Sequence, residues 1–206
     1  MACGDRMDDA DLMTTLQKHI DDVISQGYQI EDVTIHSKRY ADEGPDGVGQ
    51  FHFMFIKAIS PDTTIKYLAN FSYSGESLRF HGYPVDSNNK VKTDMTSRSI
   101  PNLPDMIAKL DEMKKVLPNG FKYQHLLYIK YTAEGDVYDV NLEVKPDNEN
   151  LTHPKVKQEK KSYVKYSTTR TRKKFGTTQE KNNTDIKRKI EYTVSVRLTN
   201  NQIEIR

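Results

Sequence analysis

Apolar residues recur at helical spacing through residues 9–26, where Leu12, Leu16, Ile20, Val23 and Ile24 fall on one side of a 3.6-residue turn. Acidic residues crowd the first turn and Gly27 follows the last, which are the charge and the stop such a helix takes. The pattern then changes to alternation. Segments 28–36, 50–58, 64–74 and 77–82 predict four strands, the last two joined at Ser74-Gly75-Glu76 by a short hairpin turn. In the second of them Phe51, Phe53 and Phe55 alternate with Met54 and Ile56. Both faces of that strand are apolar, so it is expected at a central position or covered on both sides.

Residues 85–99 are polar and irregular and read as a linker or long loop. A second helix follows, with Asn102 as N-cap, Pro104 in the first turn, and Met106, Ile107, Leu110, Met113, Val116 and Leu117 as its buried stripe. Pro118-Asn119-Gly120 ends it. Segments 121–131 and 137–145 predict a hairpin turning near Glu134-Gly135-Asp136, with Tyr138, Val140, Leu142 and Val144 toward the core and Asp139, Asn141, Glu143 and Lys145 pointing away. After a polar stretch, a weak strand pattern resumes at Tyr163, Val164 and Tyr166. A clear one runs through 188–198, where Ile190, Tyr192, Val194, Val196 and Leu198 alternate with polar residues. Asn200-Asn201 then offers a tight turn into Ile203 and Ile205.

The order α-β-β-β-β-α-β-β, followed by a β-rich basic C-terminal segment, predicts an α+β fold: a mostly antiparallel sheet with two amphipathic helices packed on one face. A chain of 206 residues suits one large domain, or one domain with an appendage. The expected division is an acidic α+β domain at 1–150 and a basic, β-hairpin-like extension at 151–206 packed on it.

Charge sharpens that division. Residues 1–154 hold 16 Lys and Arg against 24 Asp and Glu, whereas residues 155–206 hold 15 against 5. Lys160, Lys161, Lys165, Arg170, Arg172, Lys173, Lys174, Lys187, Arg188 and Lys189 are interleaved with Tyr163, Tyr166 and Phe175. Cations displace counterions from a phosphate backbone and aromatic rings stack on exposed bases, so these residues form the candidate nucleic-acid contact. The same run also suits a solvated loop of a long hairpin, a segment held by the protein's own acidic half, or docking to an acidic protein or membrane surface.

Other chemistry is thinly represented. The single cysteine, Cys3, excludes an internal disulfide, zinc sites need several close ligands, and a reducing, cytoplasmic setting is expected. The first eleven residues hold four aspartates and no apolar run, so they do not read as a secretory signal as they stand, and no stretch approaches the ~20 apolar residues of a membrane span. The six histidines show no metal-ligand spacing. Gly44, Gly47 and Gly49 lack the strand-to-helix setting of a phosphate loop and read as a mobile connection. No nucleophile elbow or Walker sequence is present.

Glu143-x-Lys145 with Asp139 nearby resembles the metal-binding core of the PD-(D/E)xK nucleases. That resemblance implies two carboxylates holding magnesium and a lysine positioning water. The family's first aspartate comes from an earlier strand, whereas here the nearby Pro104-Asp105 falls at a helix start. The resulting expectation is a non-enzymatic binding protein without a cofactor, contacting nucleic acid through its basic C-terminal segment. The alternative is a protein-interaction module, inhibitor, immunity or chaperone-like, that binds a partner through its acidic α+β face; a metal-dependent nuclease stands third.

Overall fold

The structure, a computed structural model, describes residues 5–40, 44–61, 68–82, 99–172, 178–199 and 202–206, with the backbone alone for 168–172 and 178–183. Helix α1 (Ala10–Ser25) leads into strands β1 (Gln29–Ser37), β2 (Phe51–Ile59), β3 (Leu68–Tyr73) and β4 (Arg79–Phe80). Helical turns α2 (Leu103–Ala108) and α3 (Leu110–Lys115) precede β5 (Phe121–Thr132), β6 (Val137–Pro146), β7 (Lys157–Arg172), β8 (Thr178–Thr199) and β9 (Gln202–Ile205). The fold is α+β. The nine strands among the described residues form one antiparallel sheet, curled as a half-barrel in the order β4-β3-β2-β1-β5-β6-β8-β7, with β9 also on β8.

One cross-strand row organises the core. Tyr73, Met54, Ile35, Ile129, Val140, Val196 and Ile205 stand opposite one another in turn on β3, β2, β1, β5, β6, β8 and β9. All but Ile205 are buried, and Ile205 packs partly buried against the others. Onto this face α1 places Leu12, Met13, Leu16, Ile20 and Val23. Its start is fixed by Asp9, whose carboxylate accepts a hydrogen bond from the Asp11 amide (2.8 Å). Asn102 caps α2 as its spacing predicts, accepting from the Asp105 amide (3.1 Å), and Gln17 Oε1 accepts from the Leu103 amide (3.0 Å), which ties the second helical region to the first.

Several elements differ from their sequence patterns. The single second helix is instead two turns broken at Lys109, where ψ is 1° and the amide donates to the Met106 carbonyl in a tighter, i→i−3 bond. The break keeps Met106, Ile107, Leu110 and Met113 buried but turns Val116 out, to 38% exposure. β2 is central, between β1 and β3, yet only Met54, Ile56, Ala58 and the terminal Ile59 are buried. Phe53 lies half-buried on the opposite face, stacked on His36 at 4.5 Å between ring centroids. β4 is reduced to a two-residue pairing with Phe71 and Ser72. The predicted linker at 85–99 and the first part of the 64–74 strand lie largely outside the described residues.

The glycine-bearing connection between β1 and β2 is pinned across the open face of the sheet. The Met7 amide donates to the Gly49 carbonyl and the Lys38 amide to the Gln50 carbonyl, both at 2.8 Å, while Tyr40 and Val48 are buried. Gly49 has φ +82°, and a Cβ there would stand 2.8 Å from His125 Nδ1. Gly49→Ala therefore combines left-handed backbone strain with a clash against a packed ring. It should lower unfolding free energy by about 2 kcal/mol or more in a urea titration.

Candidate nucleic-acid interface

The basic C-terminal residues are carried by a long two-stranded ribbon. β7 and β8 pair from Lys157 opposite Thr193 out to Arg172 opposite Thr178. β6 flanks β8 only along Tyr192–Thr199. Outward of Tyr192, among the described residues, β8 is paired by β7 alone, over a length of about 45 Å at the usual strand rise.

Alternation of side chains then sorts the ribbon into two faces of different chemistry. The open face, turned away from the helices, carries Lys157, Glu159, Lys161, Tyr163 and Lys165 from β7, opposite Thr193, Glu191, Lys189, Lys187 and Asp185 of β8. Charges here are largely matched within the protein. Glu159 is bonded by both Lys157 and Lys161, Lys161 lies 3.8 Å from Glu191, and Lys187 pairs with Asp185 at 3.1 Å. Lys189 donates to Glu143 Oε1 at 2.5 Å, and its ammonium sits 4.9 Å from the centre of the Tyr40 ring. Tyr163 is half-buried against Tyr40 and Gly44.

The other face continues the core side of the sheet. It carries Lys160, Ser162, Val164 and Tyr166 opposite Ile190, Arg188, Ile186 and Thr184. Lys160 and Arg188 are exposed and make no ion pair among the described residues. Beside them Tyr166 is 79% exposed, Ile186 53%, Ile190 49% and Val164 37%, although Tyr192, one step inward on the same face, is buried. Of the thirteen residues expected to contact nucleic acid, Lys160, Tyr166 and Arg188 thus share one accessible surface and Lys165 is exposed on the reverse. Lys161, Tyr163, Lys187 and Lys189 are engaged within the protein. Arg170 and Arg172 lie on the outer part of β7, opposite Glu180 and Thr178. Lys173, Lys174 and Phe175 lie outside the described residues.

The residues set out in the nuclease-like pattern are also placed. Asp139 takes a two-pronged hydrogen bond from Arg197, at 2.6 and 2.7 Å, and Lys145 is exposed. Glu143 points away from the core as its position predicts, but it is buried, with Lys189 bonded to it. Its second oxygen, Oε2, has no hydrogen-bond partner. Among the described residues no group of three or more His, Cys, Asp or Glu side chains gathers as a metal site, and no helix is long and apolar enough to cross a membrane.

Beside Glu143 lies a second polar cluster that sequence spacing does not reveal. Arg6 donates to both Asp8 oxygens at 2.9 and 3.2 Å, Tyr123 Oη donates to Asp8 Oδ2 at 2.7 Å, and Arg6 Nη2 is 3.3 Å from His125 Nδ1. Burial pushes the Tyr123 phenol well above its ordinary value, helped by the bond to Asp8. Burial also lowers the His125 imidazole, against the pull of Glu143 across the strand pair, and it lowers His36 in the same way. No family model, curated protein or solved structure matches this chain in comparisons with known proteins.

Two outcomes follow from these environments. Lys189→Ala strands the buried Glu143 carboxylate and should cost about 3 kcal/mol of stability, a loss that Glu143→Gln in the same chain partly restores, while Lys187→Ala leaves the urea midpoint unchanged. Because the folded pKa values of His36 and His125 lie below the ordinary 6.5, their contribution to stability is complete above that pH and is lost as pH falls through the folded values. Chemical denaturation between about pH 7 and 5 should show this decline, and His36→Asn with His125→Asn should flatten it.

Proposed function

We propose that this protein is a non-enzymatic binding protein that engages nucleic acid along the β7–β8 ribbon. The observation that carries the reading is the segregation of charge. Lysines of the open face are largely neutralised by neighbouring carboxylates, whereas Lys160 and Arg188 stand unpaired among the described residues, next to the exposed Tyr166 ring. Unpaired cations are the groups that gain by meeting phosphates, because they give up no internal partner and release condensed counterions. A two-stranded ribbon has the section that a DNA major groove admits, and an aromatic ring presented among cations also suits stacking on an unpaired base. The basic outer positions Arg170 and Arg172 extend the same track along β7.

A second reading is supported by the apolar part of this surface. Val164, Ile186 and Ile190 cluster on one face, and exposed apolar groups rimmed by polar ones mark protein contacts as well. On that reading the protein is an interaction module, with its acidic front available to a partner.

The deciding experiment is fluorescence anisotropy of labelled single- and double-stranded DNA and RNA across a salt series. Beside the native chain stand Lys160→Ala/Arg188→Ala, Arg170→Ala/Arg172→Ala/Lys173→Ala/Lys174→Ala, and Tyr166→Ala. Affinity should fall steeply between about 50 and 200 mM salt, with a shallower slope in both charge variants. Tyr166→Ala should weaken single-strand binding more than duplex binding. Absence of binding to every probe at low salt overturns the proposal and transfers support to the protein-interaction reading.

A further inference from the structure

On the open face of the sheet, strands β1, β5, β6, β7 and β8 and the connection after β1 line a cavity of about 550 Å³, within the size range of small-ligand sites. Its floor is a single cross-strand row, adjacent to the row that organises the core. His36, Tyr128, Asn141 and Ser195 stand opposite one another in turn. Lys157, Glu159 and Lys161 of β7 line its far side, with Glu191 and Thr193 beside them on β8.

The cations of this cavity are already engaged. Lys157 and Lys161 both bond Glu159, and Lys38 and Arg39 are not free either. An anionic ligand would have to break those pairs, and a cationic one would meet four positive groups against two carboxylates. Neither sign of charge is favoured. The groups with unused hydrogen-bonding capacity are others. Among the described residues Tyr128 Oη and Thr193 Oγ1 have no partner, and Asn141, whose Oδ1 accepts from Ser195 Oγ at 2.8 Å, keeps its N–H groups as donors. Glu191 is the sharpest case. Its side chain is only 12% exposed, yet it accepts no hydrogen bond among the described residues, and Lys161 stands 3.8 Å away, past hydrogen-bond reach. A desolvated carboxylate without donors is destabilised, and burial accordingly raises the Glu191 carboxyl above its ordinary value. A ligand hydroxyl would supply the missing donor.

We infer that this cavity binds an uncharged sugar, a monosaccharide or disaccharide. Sugar hydroxyls donate and accept at once, which matches an amide and two hydroxyl side chains set around one carboxylate acceptor. Glu191 accepts from ligand hydroxyls, and Asn141 donates to them. The C–H face of a pyranose packs on aromatic rings, and His36 and Tyr128 supply these on the floor. The two rings meet edge-on, with centroids 4.8 Å apart and planes at 61°, so they do not form the parallel-walled slot that a flat heterocycle fills. The inference does not depend on the ribbon reading. The cavity lies on the face opposite Lys160, Tyr166 and Arg188, so variants of the two surfaces separate the two ideas.

Chemical-shift titration of the isotope-labelled full chain with glucose, galactose, mannose, N-acetylglucosamine, maltose and cellobiose tests it, with glucose 6-phosphate, glucosamine and uridine as comparison ligands. At least one neutral sugar should bind with Kd below about 10 mM and shift the Asn141 side-chain amide signals, and no comparison ligand should bind more tightly. Because no net charge is recognised, that affinity should change less than about twofold between about 50 and 500 mM salt. Glu191→Gln, which keeps the shape of the side chain, should weaken binding about fivefold and Asn141→Ala about tenfold, while Lys160→Ala/Arg188→Ala should leave it unchanged. A thermal melt of each variant confirms that the fold persists. Failure of every neutral sugar to bind, tighter binding of a charged ligand or of uridine, or affinity that survives both Glu191→Gln and Asn141→Ala in folded protein overturns the inference.

Discussion

The structure depends on the apolar row that runs from Tyr73 on β3 to Ile205 on β9. Each member is contributed by a different strand, so the row cannot form until the hairpin of β5 and β6 has been joined on one side to β1 and on the other to β8. It draws its driving force from burial against α1 and the broken second helix, at roughly 2 kcal/mol for a fully buried large aliphatic side chain. Val196 enters this row from the far end of β8. Once it does, alternation dictates which side chains of the preceding residues point to the core side, all the way back along the strand. The two chemically distinct faces of the ribbon are thus inherited from the core.

Much of this was legible in the sequence because it rests on period. α1, the Asn102 cap, the β5–β6 hairpin and the alternation through Ile190, Tyr192, Val194, Val196 and Leu198 are local patterns, and the structure places each of them near its expected bounds. The alternation even held the key to the charged segment. Extending its parity backward puts Arg188 on the core side and Lys187 and Lys189 on the other, so the cations need not form one surface. What period cannot supply is pairing between distant segments. The register of β7 on β8, the meeting of Glu143 with Lys189 and the packing of Lys189 over the Tyr40 ring are long-range contacts without a local signature. The glycines of the β1–β2 connection illustrate the point. They look like looseness in sequence, whereas Gly44 and Gly49 occupy positions where the chain passes too close to Tyr163 and His125 for a side chain.

That connection also explains why the open face is not simply solvated. A sheet covered by helices on one side ordinarily leaves its other side polar. Here the alternating charges along Lys130, Asp139, Arg197 and Glu204 follow that rule. The neighbouring row of Phe53, His36, Tyr128, Asn141 and Ser195 departs from it, combining rings with hydroxyl and amide groups under a covering segment. Two adjacent rows on the same face therefore do different work, one balancing charge in water and the other walling a cavity.

The ribbon raises a question of stability that bears on function. A two-stranded hairpin by itself is marginal in water, because it orders many residues while burying little. Near the sheet the β7–β8 ribbon escapes this limit through Tyr192 in the core and through Tyr40, Tyr163 and Lys189 on the open face. From Val164 outward to Ser167, and back from Arg188 to Thr184, every described side chain is exposed. Backbone pairing and the exposed Lys187–Asp185 ion pair carry that stretch among the described residues. A partner that lies on Val164, Tyr166 and Ile186 and neutralises Lys160 and Arg188 would supply both the burial and the charge balance that the ribbon lacks. For such a partner, binding and ordering of the ribbon would be the same free-energy problem, and substitutions that weaken the outer pairing would act on affinity as well as on stability.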